Sequence, residues 1–493
     1  MLMQTIVTPS ITYKQPLGLF IDGKLVKGIK GKTFETVNPT NEKAIVAVHE
    51  AGPEDVDLAV KAARSAFNGV WSKTTPTARG KMLVKLADLF DEHSDILAAI
   101  ESLDNGKAIT MAKVDIQIAS NTLRYYGGWA DKIHGQTIDT DADHFNYTKH
   151  EPIGVCGQII PWNFPLVSLS WKIGPALACG NTVVLKTAEQ TPLSGLFAAT
   201  LIQKAGFPAG VVNILSGFGK IAGAAIAAHK DIDKIAFTGS TGVGRSILQA
   251  VSISNLKKLT LELGGKSANI VFNDADIEDA ISWVHFGIFY NHGQVCSAGS
   301  RIYVQSGIYD EFVEAFKARA SEIIVGDPFQ KDTFQGPQVS SVQCDRIMDY
   351  IRSGKEAGAK IEIGGGRHGT QGYFIQPTIF SNVTKDMRIM KEEIFGPVCA
   401  ICKFDTEEEV IRAANDSNYG LAAAIHTTDL NTTIRVSSSL KAGTVWVNTF
   451  NSISYQVPFG GFRESGMGRE LGEYALSEYT QVKSVRIKLK NKL

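Results

Sequence analysis

Between Pro152 and Phe237 the chain repeats one unit: a short apolar run, a polar or glycine-containing loop, then an alanine-rich stretch with helical spacing. The apolar runs fall at 157–160, 182–185, 211–215 and 235–237. Runs this short and continuous predict strands buried on both faces, as in a doubly wound parallel sheet with helices on either side. Open sheets of this kind bind ligands beyond the carboxyl ends of their strands, so the loops beginning at Pro161, Lys186, Gly217 and Gly239 are expected to share one edge.

The flanking pattern differs. Residues 18–36 predict a hairpin turning at Asp22-Gly23. Pro53 opens a helix running through Val60 to Phe67, and Leu83, Leu86 and Phe90 lie on one face of the next. Residues 144–149 alternate, with Phe145 and Tyr147 on one side, as a strand does. After residue 268 the α/β rhythm restarts: a strand at 268–272, a helix from Asp276 toward Tyr290, a loop around Cys296, a strand at 301–305 and a helix from Ile308. This predicts a second α/β domain. Residues 482–489 alternate Val485, Ile487 and Leu489 with Ser484, Arg486 and Lys488. A terminal strand with one apolar face needs a partner, and 144–149 is the candidate, the pair forming an arm that reaches another subunit.

Composition narrows the function. A chain of 493 residues exceeds one hydrophobic core, so two or more domains are expected. Its 50 basic and 50 acidic residues cancel, leaving no global field for nucleic acid or an anionic membrane. The expected partner is a small molecule. Six cysteines in so long a chain fit reduced thiols better than a disulfide framework. Cys399 and Cys402 have metal-motif spacing but sit in an apolar run and read as strand core, so no metal site is expected. Residues 152–171 are the longest uncharged interval from Pro152 onward, and Pro152, Pro161 and Pro165 make it a poor membrane helix. With no basic residue before Lys14 to suggest a leader, a cytoplasmic protein is expected.

Three segments carry candidate chemistry. Cys296 lies in a loop of small and polar residues, 291–301, where a thiol has backbone N–H donors close by. Alone, the loop favours an inert core cysteine, and the rest of the chain has to overturn that reading. Asn163 sits in Pro161-Trp-Asn-Phe-Pro165 at a strand end, and Glu262 stands just before two glycines. A thiol, an amide and a carboxylate brought together would supply a nucleophile, an oxyanion donor and a general base. Two glycine loops, 217–223 and 239–244, each lie between a strand and a helix, and Ser240 with the N–H groups after it would suit a pyrophosphate. A cysteine hydrolase with His292 as its base remains a rival, though such an enzyme needs no cofactor apparatus.

Taken in order, Pro-Trp-Asn-Phe-Pro at 161, Lys-Thr-Ala-Glu-Gln-Thr-Pro at 186, Phe-Thr-Gly-Ser-Thr at 237, Leu-Glu-Leu-Gly-Gly-Lys at 261, Gly-Gln-Val-Cys at 293, Glu-Glu-Ile-Phe-Gly-Pro at 392 and Pro-Phe-Gly-Gly-Phe at 458 resemble the NAD(P)-dependent aldehyde dehydrogenase superfamily over nearly the whole chain. The nearest likeness is to its tetrameric, broad-substrate, acetaldehyde-oxidising class, and residues 101–140 are similar to fungal members. The resemblance implies an NAD-binding Rossmann-type domain at 1–133 and 153–264, a catalytic domain at 265–470, and an oligomerisation arm at 134–152 and 478–493. It implies an aldehyde as substrate and a homotetramer as assembly. Cys296 would be the nucleophile, Asn163 and the Cys296 N–H the oxyanion donors, Glu262 the base for thioester hydrolysis, and Lys172 and Glu470 a proton relay.

For the cofactor, NAD, the resemblance implies Ser240 and Trp162 at the pyrophosphate, Lys186 and Glu189 at the adenosine ribose, and Glu393 with Phe395 at the nicotinamide ribose. Ile160, Pro161, Gly219, Phe237, Gly239, Val243, Leu263 and Gly264 would complete that site. A carboxylate at the adenosine ribose favours NAD over a cofactor bearing a 2′-phosphate. Phe164, Trp171, Tyr290 and Phe459 would line an aromatic substrate mouth suited to neutral aldehydes. The chain departs from close relatives at Val295, Ser297 and Ser168, which bear on substrate preference, and at Ala268. Glu262, retained as a base, favours hydrolysis of the thioester over transfer to coenzyme A.

Overall fold

The computed structural model describes residues 1–490; the last three positions of the expected arm, 491–493, lie outside the described residues. Two open sheets and a two-stranded ribbon organise the chain. The first sheet runs Gly466–Met467, Lys258–Glu262, Lys234–Thr238, Val155–Ile159, Thr182–Lys186, Val212–Leu215, Leu19–Ile21 and Lys24–Val26. Its five central strands are parallel; Gly466–Met467 and Leu19–Ile21 flank them antiparallel, and Lys24–Val26 pairs antiparallel with Leu19–Ile21. The order reverses direction between Val155–Ile159 and Lys234–Thr238, creating a crevice beyond Ile159 and Thr238.

The four apolar runs of the repeated unit are strands of this sheet, shifted by no more than two residues at either end. Helices cover both faces. Val183 and Leu185 point into one core with Leu83, Leu86 and Phe90, while Val184 points into another with Val56, Ala59, Val60 and Ala63. The helix Pro53–Asn68 starts as its sequence predicts, with Pro53 in its first turn and Asp55 Oδ2 accepting the Gly52 N–H at 2.8 Å.

The second sheet runs Lys360–Ile363, Thr378–Ser381, Val398–Phe404, Arg301–Gln305, Ala268–Val271, Ala422–His426 and Thr444–Val447. All its pairings are parallel except the first. Cys399 is buried and Cys402 half-buried within the same strand, as their apolar surroundings predict. No helix among the described residues is long and apolar enough to cross a membrane.

Two expectations change in detail. The hairpin turning at Asp22 (φ 51°) and Gly23 (φ 73°) ends at Val26 and adds to the edge of the first sheet. Residues beyond it, Thr33–Asn38, pair instead with Lys43–His49. The ribbon is longer than expected: Thr480–Lys488 lies antiparallel to His144–Pro152, with Val485 opposite Tyr147 and Ile487 opposite Phe145. Phe145, Val482 and Ile487 remain exposed on it.

Asn181 fastens the ribbon to the first sheet. Its Oδ1 accepts the Gly154 N–H at 2.9 Å and its Nδ2 donates to the Tyr479 carbonyl at 2.8 Å, all without solvent exposure of Asn181. Asn181→Ala orphans both backbone groups, and at about 1–3 kcal/mol for each unsatisfied buried group the expected loss is on the order of 2–6 kcal/mol. A lowered urea midpoint checks this; an unchanged midpoint contradicts it.

Candidate active site

The loop after Val155–Ile159 carries Ile160, Pro161, Trp162, Asn163 and Phe164, and Pro165 then starts the helix Pro165–Ala178 that bears Trp171 and Lys172. The loop is tied down on three sides. The Ile160 N–H donates to the Lys186 carbonyl at 3.1 Å, Asn105 Nδ2 donates to the Trp162 carbonyl at 2.6 Å, and Asn163 Nδ2 donates to the Gln294 carbonyl at 2.9 Å. The last bond joins the loop to the segment holding Cys296, and Asn291 Nδ2 reinforces it by donating to the Asn163 carbonyl at 3.2 Å.

The backbone turns sharply before the thiol. Asn291, His292 and Gly293 all have left-handed φ, at 48°, 60° and 70°. At Gly293 a side chain is excluded on a second count, because a Cβ would lie 2.0 Å from the Gly396 carbonyl oxygen. Beyond the turn Cys296 is half-buried against a cluster containing Trp171, Phe459, Phe450 and Leu421. Loss of hydration, then the negative charges of Glu262 and Glu393, push its thiol well above the ordinary value.

Glu262 ends the strand Lys258–Glu262 and is 5 % exposed. Neither carboxylate oxygen has a hydrogen-bond partner among the described residues. Burial first, then the charge of Glu470, raise its carboxyl well above the usual range, opposed by Lys172 and Arg469. Lys172 is fully buried, ion-pairs with Glu470 and donates to Thr238 Oγ1 at 2.7 Å. The amide, thiol and carboxylate singled out in the sequence therefore converge, with the Lys172–Glu470 pair adjoining the carboxylate.

Gly264 and Gly265 connect this group to Glu393. The Gly265 N–H donates to Glu393 Oε1 at 3.0 Å, a Cβ on Gly264 would lie 2.3 Å from Glu393 Oε2, and one on Gly265 would lie 2.5 Å from the Cys296 carbonyl oxygen. Both approaches need glycine. Burial raises the Glu393 carboxyl to about 7, against the Gly265 hydrogen bond and the charges of Arg346 and Lys266. Phe395 (φ 60°) meets the edge of Trp162 at 5.2 Å between ring centroids, and its carbonyl accepts from Gln343 Nε2 at 2.8 Å.

A second group stands apart, joined to the thiol only along the sheet edge. Lys186 ends the strand Thr182–Lys186 and pairs with Glu189 at 3.1 Å, and a Cβ on Gly219 would lie 4.0 Å from Glu189 Oε1. Burial lowers the proton affinity of Lys186, opposed by Glu189. Next along the edge, Ser240 caps the helix Thr241–Ile253, yet its side chain caps nothing, which leaves first-turn N–H groups as anion donors. The Gly239 N–H donates to the Glu262 carbonyl at 3.0 Å, and Phe237 is buried below it. Val243 is exposed on the helix, while Leu263 is buried against Gly244. Carboxylates for ribose hydroxyls, an uncapped helix start for a pyrophosphate and glycines at the closest approaches together suit a dinucleotide.

An aromatic wall links the predicted mouth. Trp171 meets Phe459 at 5.7 Å, Phe164 meets Tyr290 at 6.0 Å, and Phe286 stacks on Tyr290 at 4.7 Å. Sequence reasoning missed what holds this wall. Tyr290 Oη donates to Asp115 Oδ1 at 3.1 Å, Asp115 pairs with buried Lys107, and Lys107 Nζ lies 4.4 Å over the Phe164 ring. It also missed Asn291, Gln294, Thr238, Gly265 and Asn451, whose Oδ1 accepts from Ser297 Oγ at 2.8 Å. Only the glycine pair beside Glu262 signalled one of them.

The rival base fails on geometry. His292 is 1 % exposed, its Nε2 accepts the Gly336 N–H at 3.1 Å, and burial with the charge of Lys107 lowers its proton affinity to about 3. Its acceptor nitrogen is spent on the Gly336 N–H and is not free to take a proton from the thiol.

Residues 26–485 match the model of the aldehyde dehydrogenase family. The chain is 68 % identical to an aldehyde dehydrogenase of Aspergillus niger, over 99 % of this chain and 98 % of that one. It is 55 % identical to retinal dehydrogenase 2 of Gallus gallus, over 96 % and 92 %. An NAD+ complex of an aldehyde dehydrogenase from Bacillus cereus superposes with a TM-score of 0.95 at 53 % identity, covering 96 % of this chain and 97 % of that one.

Because Glu262 raises the thiol, removing its charge should lower it. In protein free of ligands, alkylation of Cys296 is expected to climb through the alkaline range, and Glu262→Gln is expected to move that profile to lower pH. Iodoacetamide labelling against pH checks this; a profile that stays put or moves upward contradicts it.

Proposed function

The chain belongs to the aldehyde dehydrogenase family, and from that premise we propose that it oxidises acetaldehyde and other small aliphatic or aromatic aldehydes to carboxylic acids with NAD, through a covalent intermediate on Cys296. The observation that carries this reading is Glu262, a buried carboxylate with two unpartnered oxygens, whose charge acts on a thiol in a loop bonded to Asn163.

Cys296, as thiolate, attacks the carbonyl carbon; a C–S bond forms and the carbonyl π pair moves onto oxygen. The side-chain amide of Asn163 and the Cys296 N–H hold that oxyanion. The chemistry NAD supplies when bound is to accept the hydride that leaves the tetrahedral carbon. Attack by Cys296 comes first because an alkoxide pushes hydride out where a carbonyl does not. The thioester left on Cys296 is then opened by water, from which Glu262 takes a proton as the new C–O bond forms. The carbon–sulfur bond breaks, the acid departs and the thiol is restored. Burial raises the proton affinity of the Glu262 carboxylate, which strengthens it as a base toward water. Glu470 and Lys172 carry that proton onward toward Thr238, a role supported by their direct pairing.

For NAD, Lys186 and Glu189 hold the adenosine ribose, Ser240 and Trp162 the pyrophosphate, and Glu393 with Phe395 the nicotinamide ribose. Ile160, Pro161, Gly219, Phe237, Gly239, Val243, Leu263 and Gly264 shape that cleft. The Glu189 carboxylate disfavours a 2′-phosphate. Residues 1–133 and 153–264 form the NAD-binding domain and 265–470 the catalytic domain. Phe164, Trp171, Tyr290 and Phe459 line the aldehyde mouth.

Residues 134–152 and 478–493 form an arm that joins subunits into a homotetramer. The exposed Phe145, Val482 and Ile487 on a ribbon of only two strands support this, since such a ribbon is marginal without a partner. Six unpaired cysteines support a reducing, cytoplasmic location.

Purified protein with acetaldehyde and NAD is expected to produce NADH. Cys296→Ala abolishes it, and Asn163→Ala lowers kcat by roughly 10²–10³, the range for loss of one oxyanion donor. NADH absorbance checks all three; folded wild-type protein inactive across an aldehyde panel with NAD contradicts the reading.

A further inference from the structure

Lys266 lies one residue past the Gly264-Gly265 pair and plays no part in the chemistry above. It is 2 % exposed, and its Nζ has no hydrogen-bond partner among the described residues. It borders a cavity of ≈ 20 Å³ shared with Arg301, Tyr419 and Lys441. Arg301 is 4 % exposed and spends its donors on backbone carbonyls: Nε on Lys266 at 2.9 Å, Nη1 on Ala413 at 3.1 Å and Nη2 on Ala414 at 2.8 Å. Three basic residues therefore border one small space, Lys266 and Arg301 buried and Lys441 exposed, and no carboxylate residue borders it among the described residues.

Buried charge without a counter-charge is unstable in a protein interior. Lys266 shows the strain: burial first, then Arg301, bring its amine down to about 7, against the opposing charges of Glu393, Cys399 and Glu392. Those three do not border the cavity. A space on the order of 10–15 Å³ admits one water-sized body. The cavity is large enough for a monatomic ion and too small for a nucleotide or a phosphoryl sugar.

We propose that the cavity bordered by Lys266, Arg301, Lys441 and Tyr419 binds one small monovalent inorganic anion of halide size. The site is separate from aldehyde oxidation and stands whether or not that reading holds. The anion accepts from the Lys266 ammonium and is held by the field of Arg301 and Lys441, while Tyr419 offers a hydroxyl at the rim. Binding draws a proton onto Lys266, so affinity is higher below about pH 7 than above it.

The test uses the full-length protein and needs no turnover. Crystals soaked in sodium bromide are expected to show an anomalous peak in this cavity, and thermal midpoints at constant ionic strength are expected to rise as bromide replaces gluconate. In K266M both signals are lost. Bromide peaks confined to the outer surface overturn the proposal. A cavity peak with no bromide-dependent stabilisation, or one that persists in K266M, marks an adventitious ion only and overturns it as well. Should K266M fail to fold, the wild-type map and the wild-type bromide titration decide between these outcomes.

Discussion

The two sheets are joined by a few residues, and those residues are where the backbone is most crowded. Lys258–Glu262 belongs to the first sheet and Ala268–Val271 to the second, with Gly264 and Gly265 between them. Through that pair the Cys296 carbonyl and the Glu393 carboxylate both come against main chain at distances no Cβ allows. Each partner fixes the other. A side chain at Gly265 would push the thiol loop off the segment that follows Glu262, and Glu393 is held to that segment by the Gly265 N–H. The proposed nucleophile, base and ribose-binding carboxylate thus share one rigid junction rather than three separate loops.

Electrostatics at the junction follows from that crowding. Three carboxylates, Glu262, Glu393 and Glu470, are gathered within a largely apolar surround, and one fully buried cation, Lys172, is paired with only one of them. Glu262 and Glu393 are raised by burial, and the thiol is raised with them. Burial thus works against ionisation of the thiol and of both carboxylates. That protects the thiol from casual oxidation and alkylation, and it leaves the reacting groups to be ionised when a cationic ring and a substrate carbonyl are brought beside them.

Most of the fold was legible because its strands are buried on both faces, which writes continuous apolar runs into the sequence. The ribbon was legible for the opposite reason, its alternation marking a strand with one wet face. The pairing of Thr33–Asn38 with Lys43–His49 was not, since a six-residue segment after a good turn reads equally well as part of the preceding hairpin. At the site, Cys296, Asn163 and Glu262 stood out through their motifs, but their supports did not. Asn291 and Gln294 act through a backbone carbonyl, and Lys107 and Asp115 reach Phe164 and Tyr290 across the fold. Bonds of that kind leave no periodicity or spacing to read. His292 shows the converse: proximity in sequence to the thiol suggested a base, and three left-handed residues turned it away.

The central claim is that the aldehyde carbon becomes bonded to Cys296 before any acid is released, and that Glu262 is needed only to free it. The direct measurement is quenched-flow mass spectrometry on Glu262→Gln mixed with NAD and acetaldehyde. The account predicts one equivalent of NADH per active site and an acetyl group on the peptide containing Cys296, which persists while turnover stalls. NADH formed repeatedly at the wild-type rate with no adduct on Cys296 would contradict it.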